Sequence, residues 1–222
     1  MSDDEFSEPR QRMLADIAAK AIVSCVELGK AALAPRVMAA MAKVPRHEFV
    51  PLELRPDAYA DTPLPIGFGK TISQPFIVAV MTDLLDLQPT DTVLEIGTGL
   101  GYQTAILAAL ARQIYSMELI EELAEQAIRR LARQGCANVQ IRVGNGWRGW
   151  PEHAPFDKVI VAAAPDLIPT SLIYQLKPGG RMVIPAGLPD AQQLILVDKD
   201  ASDSVSTREI FAVRFSLLDD DS

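Results

Sequence analysis

Apolar and polar positions fall into three successive rhythms along this 222-residue chain. From 11 to 33, Leu14, Ile17, Ala21, Val23, Val26 and Leu28 recur among polar residues at helical spacing, which predicts a helix ending near Gly29 and again before Pro35. A second, short helix is expected over 35–43, with Pro35 in the first turn, where its missing N–H costs nothing. From 45 to 74 the texture changes. Pro45, Pro51, Pro56, Pro63 and Pro65, with Gly67 and Gly69, forbid long regular elements and predict an extended, loop-rich segment. A loop of that length inside a compact domain is usually functional when ordered.

Beyond residue 75 short apolar runs alternate with helical patterns. Strands are expected over 92–96, 113–117, 139–143 and 157–163, and helices over 76–85, 102–111, 121–134 and 167–176. The last of these helices is expected to stop at Pro178-Gly179-Gly180. Runs at 181–185, 193–198 and 208–215 read as closing strands. Strands alternating with helices require right-handed crossovers and a mostly parallel sheet covered on both faces. No helix separates the closing strands, so an antiparallel strand is expected there. The fold class is therefore a doubly wound, Rossmann-like α/β sheet. Residues 1–75 form an N-terminal segment of helices and loop, and 76–222 the core.

Composition adds boundaries. With 49% hydrophobic and 23% charged residues the chain can bury a core. No apolar run reaches membrane-spanning length, and the first residues are acidic where a secretory leader would be basic and then apolar. A cytoplasmic protein, monomeric and without a membrane partner, is the expectation. The net charge of −8 argues against nucleic acid, whose binding rests on Lys and Arg neutralising phosphates. Asp3-Asp4-Glu5 and Asp219-Asp220-Asp221 read as solvated ends. Cys25 and Cys136 lie far apart, and with only His47 and His153 besides, no metal site is expected. His47, beside Arg46 in a loop, reads as structural. Trp147 and Trp150 read as packing.

The candidate chemistry starts at Glu95-Ile96-Gly97-Thr98-Gly99-Leu100-Gly101, between a strand and a helix. Glycines there allow tight turning and close approach to a ligand, and the helix N-terminus offers unpaired N–H groups. A dinucleotide fingerprint, G-x-G-x-x-G, would need glycine at 102, which is Tyr102. The loop is G-x-G-x-G and resembles the first motif of class I methyltransferases, which bind S-adenosylmethionine. Glu118, about 20 residues on at the end of the next strand, is placed either to accept ribose hydroxyls or to cap the following helix. Gly144-Asn145-Gly146 resembles the adenine-binding turn of such enzymes, with Asn145 where an acid is usual. The lesser alternative is a Gly-Asn-Gly turn and nothing more.

The run Asp61-Thr62-Pro63-Leu64-Pro65-Ile66-Gly67-Phe68-Gly69-Lys70-Thr71-Ile72-Ser73-Gln74-Pro75 resembles the signature of protein-L-isoaspartate O-methyltransferases. The likeness continues through 93–104, Ala162-Ala163-Ala164-Pro165, Ile168-Pro169, Gln175-Leu176-Lys177-Pro178-Gly179-Gly180 and Arg46-His47-Glu48-Phe49-Val50-Pro51. It covers residues 10–217.

The resemblance implies methylation of the carboxylate of L-isoaspartyl and D-aspartyl residues in damaged proteins, with S-adenosylmethionine as donor and S-adenosylhomocysteine as product. It implies a catalytic group of Thr71, Ile72 and Ser73, with Ser73 as the active-site serine. Cofactor contacts are implied at Glu95, Gly97, Thr98, Gly99, Gly101, Tyr102, Gln103, Thr104, Glu118, Leu119, Asn145 and Gly146. Ile66, Gly67, Val213 and Phe215 are implied on the substrate side. Ser73 could instead only cap the next helix. The family's closing strand commonly reads Val-x-Phe-Val-Pro-Leu, whereas this chain has Val213-Arg214-Phe215-Ser216-Leu217-Leu218. That departure leaves room for another acceptor, such as an aspartate in a peptide natural product or a small acid. A non-catalytic cofactor-binding module would be signalled by loss of Ser73 or a loop glycine, and both are intact.

Overall fold

The computed structural model describes residues 3–218, so the Asp219-Asp220-Asp221 tail lies outside the described residues. Helix α1 spans Ser7–Val23 and buries Met13, Ile17 and Ala21. It starts earlier than the apolar spacing indicated, because Pro9 falls near the helix start, where proline is tolerated. It breaks at Ser24, and α2 (Cys25–Leu28) ends on Gly29, whose φ of 72° is the left-handed conformation that closes helices. Helix α3 covers Pro35–Lys43, as expected. Cys25 and Cys136 are both free thiols.

The next segment winds through two short 3-10 turns, Arg46–Phe49 and Leu52–Asp57. Here the fold departs from the expectation of irregular chain up to 74. A β-hairpin, β1 (Leu64–Gly67) against β2 (Lys70–Ile72), forms its own two-stranded sheet. Its tip runs Gly67, Phe68, Gly69 at φ 93°, 53° and 69°. Two of these three left-handed positions carry glycine, which makes so tight a reversal possible.

The segment 45–74 is held by buried polar and aromatic contacts, among them those of His47, which reads as structural in the sequence. Arg46 is fully buried, with Nε donating to the Ala58 carbonyl at 2.8 Å and the guanidinium 4.8 Å above the Tyr102 ring. Burial lowers its pKa to about 10, so it stays charged at neutral pH. His47 stacks on Phe6 at 4.0 Å, and its Nδ1 lies 2.9 Å from the Tyr59 hydroxyl.

After α4 (Pro75–Leu84) the chain enters the main sheet through β3 (Thr92–Ile96), α5 (Tyr102–Ala108), β4 (Gln113–Glu118), α6 (Glu121–Arg133) and β5 (Val139–Val143). Strand β6 (Phe156–Val161), helix α7 (Thr170–Tyr174) and strands β7 (Leu176–Ala186), β8 (Gln193–Lys199) and β9 (Val205–Ala212) complete it. The seven strands lie in the order β5-β4-β3-β6-β7-β8-β9. β3 to β7 are parallel, and β8 alone runs against its neighbours. This is the expected doubly wound sheet with an antiparallel strand near the C-terminus. No helix among the described residues is long and apolar enough to cross a membrane.

Two boundaries fall elsewhere than expected. α7 is only five residues long, and β7 begins at Leu176 and runs through Pro178-Gly179-Gly180. Gly179, at φ 78°, and a register shift opposite Phe156 and Lys158 let the strand absorb what reads locally as a stop. β9 ends at Ala212, so residues 213–218 leave the sheet and cross to β6, where Leu217 forms an isolated parallel bridge with Ala164.

The chain runs outward from β3 through β4 to β5, then returns to place β6 on the other side of β3, so the strand order reverses between β3 and β6. That switch point opens a crevice beyond the carboxyl ends of the strands, where open α/β sheets bind their ligands.

Candidate active site

The crevice holds a cleft of about 630 Å³, open mouth included. Its walls are the strand ends: Ile96 and Gly97 after β3, Met117, Glu118 and Leu119 after β4, Gly144 and Gly146 after β5, and Ala162 and Ala163 after β6. Lys70 and Thr71 of the hairpin and Ser216, Leu217 and Leu218 of the crossing segment close it. The volume suits a nucleoside with a short tail.

The glycine loop is held by its neighbours on both sides. Gly97 and Thr98 donate to the Met117 carbonyl at 2.8 and 3.3 Å, which ties the loop to the end of β4. Gly99 sits at φ 56°, and a Cβ there would stand 3.2 Å from Ile66 Cδ1 in the hairpin. A side chain at 99 would both strain the backbone and push the hairpin away.

Glu118 joins loop and cleft. It is 7% exposed, and its Oε2 accepts from the Gly99 N–H at 2.7 Å while Oε1 accepts from the Ile120 N–H at 3.0 Å. Burial raises its pKa above 4.5 against the opposing pull of those amides and of Lys70. The carboxylate thus organises the loop and the start of α6, which begins at Glu121, and each oxygen keeps a lone pair for a ligand hydroxyl.

Beneath the loop lies a closed polar chain. Glu95 is fully buried, and its Oε2 accepts from the hydroxyls of Thr104 and Ser116, each at 2.6 Å. Ser116 lies 2.6 Å from Thr98 Oγ1. Register explains the meeting, since Glu95 on β3 pairs directly with Ser116 on β4. Glu95 Oε1 has no partner, and desolvation raises its pKa to about 7.

Of the residues implied as cofactor contacts, Gly97, Glu118, Leu119 and Gly146 line the cleft. Glu95, Thr98 and Thr104 form the chain beneath it, and Gly101 is packed against Leu131. Tyr102 is buried under Arg46, and Gln103 donates to Thr82 Oγ1 at 2.9 Å. The first turn of α5 therefore points its side chains into the core rather than at the cleft. Asn145 Oδ1 accepts from the Trp147 N–H at 2.8 Å, so it shapes the turn that brings Gly146 to the cleft wall. A Cβ at 146 would collide with Ile96 Cγ2.

A second cleft, about 1000 Å³ with its mouth, adjoins the first. Pro63, Thr71, Ser73, Gln74 and Ile77 form one wall, Ala162 and the stretch from Ala212 to Ser216 the other. Ser73, Val213 and Phe215 line this cleft. Ser73 is half-buried and caps nothing, because the N-cap of α4 is Gln74 and makes no side-chain cap bond. Strand alternation places Thr71 outward in both clefts and turns Ile72 into the core, so Ile72 lines neither. Ile66 is buried against Gly99, and Gly67 lies exposed near the hairpin tip; neither lines a cleft. Lys70, Ala162, Ser216, Leu217 and Leu218 were missed as site residues. The one signal for Ser216 and Leu217 was their departure from the family's closing pattern, which Leu218 keeps.

His47 and His153 lie outside both clefts, and no group of three His, Cys, Asp or Glu among the described residues is placed to hold a metal.

A doubly wound sheet whose G-x-G-x-G loop and strand-end glutamate frame a nucleoside-sized cleft defines the class of S-adenosylmethionine-dependent methyltransferases. The model of the protein-L-isoaspartate(D-aspartate) O-methyltransferase family matches residues 19–222. "Protein-L-isoaspartate O-methyltransferase 1" of Polaromonas sp. is 74% identical over 99% of this chain and 93% of its own length. "Protein-L-isoaspartate O-methyltransferase 2" of Syntrophobacter fumaroxidans is 55% identical over 98% and 88% respectively. A solved protein-L-isoaspartate O-methyltransferase superposes with a TM-score of 0.81 at 26% identity, over 95% of this chain and 66% of that one. The chain belongs to the protein-L-isoaspartate(D-aspartate) O-methyltransferase family.

Proposed function

We propose that this chain methylates the free carboxylate of L-isoaspartyl residues, and of D-aspartyl residues, in damaged proteins. The observation that carries the reading is the meeting of the two clefts at Thr71, Ala162 and Ser216 in a chain of this family, with Glu118 in one and Ser73 in the other. Bound S-adenosylmethionine supplies an electrophilic methyl group on a positively charged sulfur. Glu118 takes the ribose hydroxyls with its remaining lone pairs, the glycine loop accommodates the amino-acid tail, and the Gly144 to Gly146 turn borders the adenine.

The acceptor carboxylate, with an ordinary pKa near 4, is ionised at neutral pH and needs no base to remove a proton. What the chain supplies is orientation and exclusion of water. Ser73 donates to the carboxylate in the second cleft. The ester so formed closes to a succinimide with loss of methanol, and hydrolysis returns part of it as normal aspartate.

Labelled methyl transfer should occur to a synthetic peptide with an L-isoaspartyl linkage and not to the same peptide with a normal aspartyl linkage. Labelling of neither, with S-adenosylhomocysteine still bound, would move the acceptor elsewhere. Ser73→Ala should lower turnover about 10-fold, the order of one hydrogen bond to a charged group, and leave S-adenosylhomocysteine affinity within about 2-fold. Loss of cofactor binding in folded Ser73→Ala would contradict this division of roles.

A further inference from the structure

The acceptor carboxylate must sit where the two clefts meet, and Thr71, Ala162 and Ser216 are the residues that line both. We propose that the Ser216 hydroxyl is a second donor to the acceptor carboxylate, acting across the junction from Ser73. The proposal rests on the isoaspartyl methyltransferase reading.

Three observations support it. Ser216 is half-buried, and its hydroxyl bonds to no other described residue, so it is available to a ligand. Its backbone is fixed from both sides. On one side, Gln192, itself only 3% exposed, clasps Phe215: the Phe215 N–H donates to Oε1 at 2.6 Å, and Nε2 donates to the Phe215 carbonyl at 3.2 Å. On the other, Ala164 N–H donates to the Ser216 carbonyl at 2.8 Å, and Leu218 N–H donates to the Ala164 carbonyl at 2.9 Å. A hydroxyl mounted on so fixed a backbone pays little ordering entropy when it binds a carboxylate.

A carboxylate carries two oxygens, and the one that attacks must keep a lone pair free along the line to the methyl group. A donor on each flank of the junction, Ser73 on the α4 side and Ser216 on the crossing segment, fixes the plane of the carboxylate while leaving that lone pair clear. A single donor would leave the group free to swing about one hydrogen bond.

The test compares Ser216→Thr with Ser216→Val, two side chains of the same shape that differ in one hydroxyl, so any steric cost at 216 is common to both. With the isoaspartyl peptide as acceptor, Ser216→Val should have kcat/KM about 10-fold below Ser216→Thr, from the loss of one hydrogen bond to a charged group. S-adenosylhomocysteine affinity should be equal in the two. Equal kcat/KM for the threonine and valine variants would overturn the proposal, as would a difference confined to cofactor affinity. If wild type itself fails to label the isoaspartyl peptide while binding S-adenosylhomocysteine, the acceptor reading fails and this assignment with it.

Discussion

Glu118→Ala is expected to weaken S-adenosylhomocysteine binding by about 100-fold. The carboxylate now holds the Gly99 N–H at 2.7 Å and the Ile120 N–H at 3.0 Å from a nearly buried position. Alanine strands both amides and removes the acceptor for the ligand's hydroxyls. Hydrogen bonds to a charged group are worth about 1.5–3 kcal/mol each, so losing the ligand bonds and loosening the loop together cost on the order of 3 kcal/mol. Glu118→Gln, which keeps one oxygen acceptor, should lose less. Acid should weaken wild-type binding as well. Burial holds the Glu118 pKa above 4.5, so protonation competes with the ligand at a higher pH than for an ordinary carboxylate. Calorimetric titration with S-adenosylhomocysteine measures both effects, and an alanine variant within 3-fold of wild type would remove Glu118 from the binding role.

The second large effect concerns stability. Glu95 has its pKa raised from 4.5 to about 7 by burial. Between those values the unfolded chain has released its proton and the folded chain still holds it, so the native state binds more protons and stability falls as pH rises. The rise from 4.5 to about 7 corresponds to about 3 kcal/mol, which is fully present at low pH and lost by the time pH passes 7. Glu95→Gln keeps a neutral acceptor for Thr104 and Ser116 and cannot ionise. It should unfold at a higher temperature than wild type at pH 8, by several degrees for a domain of this size. The advantage should vanish near pH 4.5. A Glu95→Gln melting temperature equal to wild type at pH 8 would mean that burial does not raise the Glu95 pKa.

How much of this could be read in advance depended on locality. β3 at Thr92–Ile96 and β5 at Val139–Val143 fall where the apolar runs, bounded by turn residues, put them. The helix at Pro35–Lys43 was equally plain. The hairpin escaped because Pro65, Gly67 and Gly69 punctuate it, and those residues mark turns and tight hairpins alike. β7 escaped in part because Pro178-Gly179-Gly180 has the look of a helix stop, and only pairing with β6 makes it a strand.

The site divides in the same way. Gly97, Glu118 and Gly146 sit at strand ends within short motifs, so glycine spacing, the interval to Glu118 and the likeness at Gly144-Asn145-Gly146 pointed to residues that line the cleft. Glu95, Tyr102, Gln103 and Thr104 belong to the same motif, yet spacing cannot say which way a side chain turns. Register with Ser116 and the overlying Arg46 turn them inward. Ser216, Leu217 and Leu218 lie about a hundred residues further on, and only the crossing of the final segment to Ala164 brings them to the cleft.

That crossing also sets an order of events during synthesis. The strands that carry the glycine loop, Glu118 and Gly146 are complete by residue 146, and β6 adds Ala162 and Ala163 soon after. The wall made by Ser216, Leu217 and Leu218 does not exist until those residues have left the ribosome. Until then the crevice between the strand ends lacks that wall.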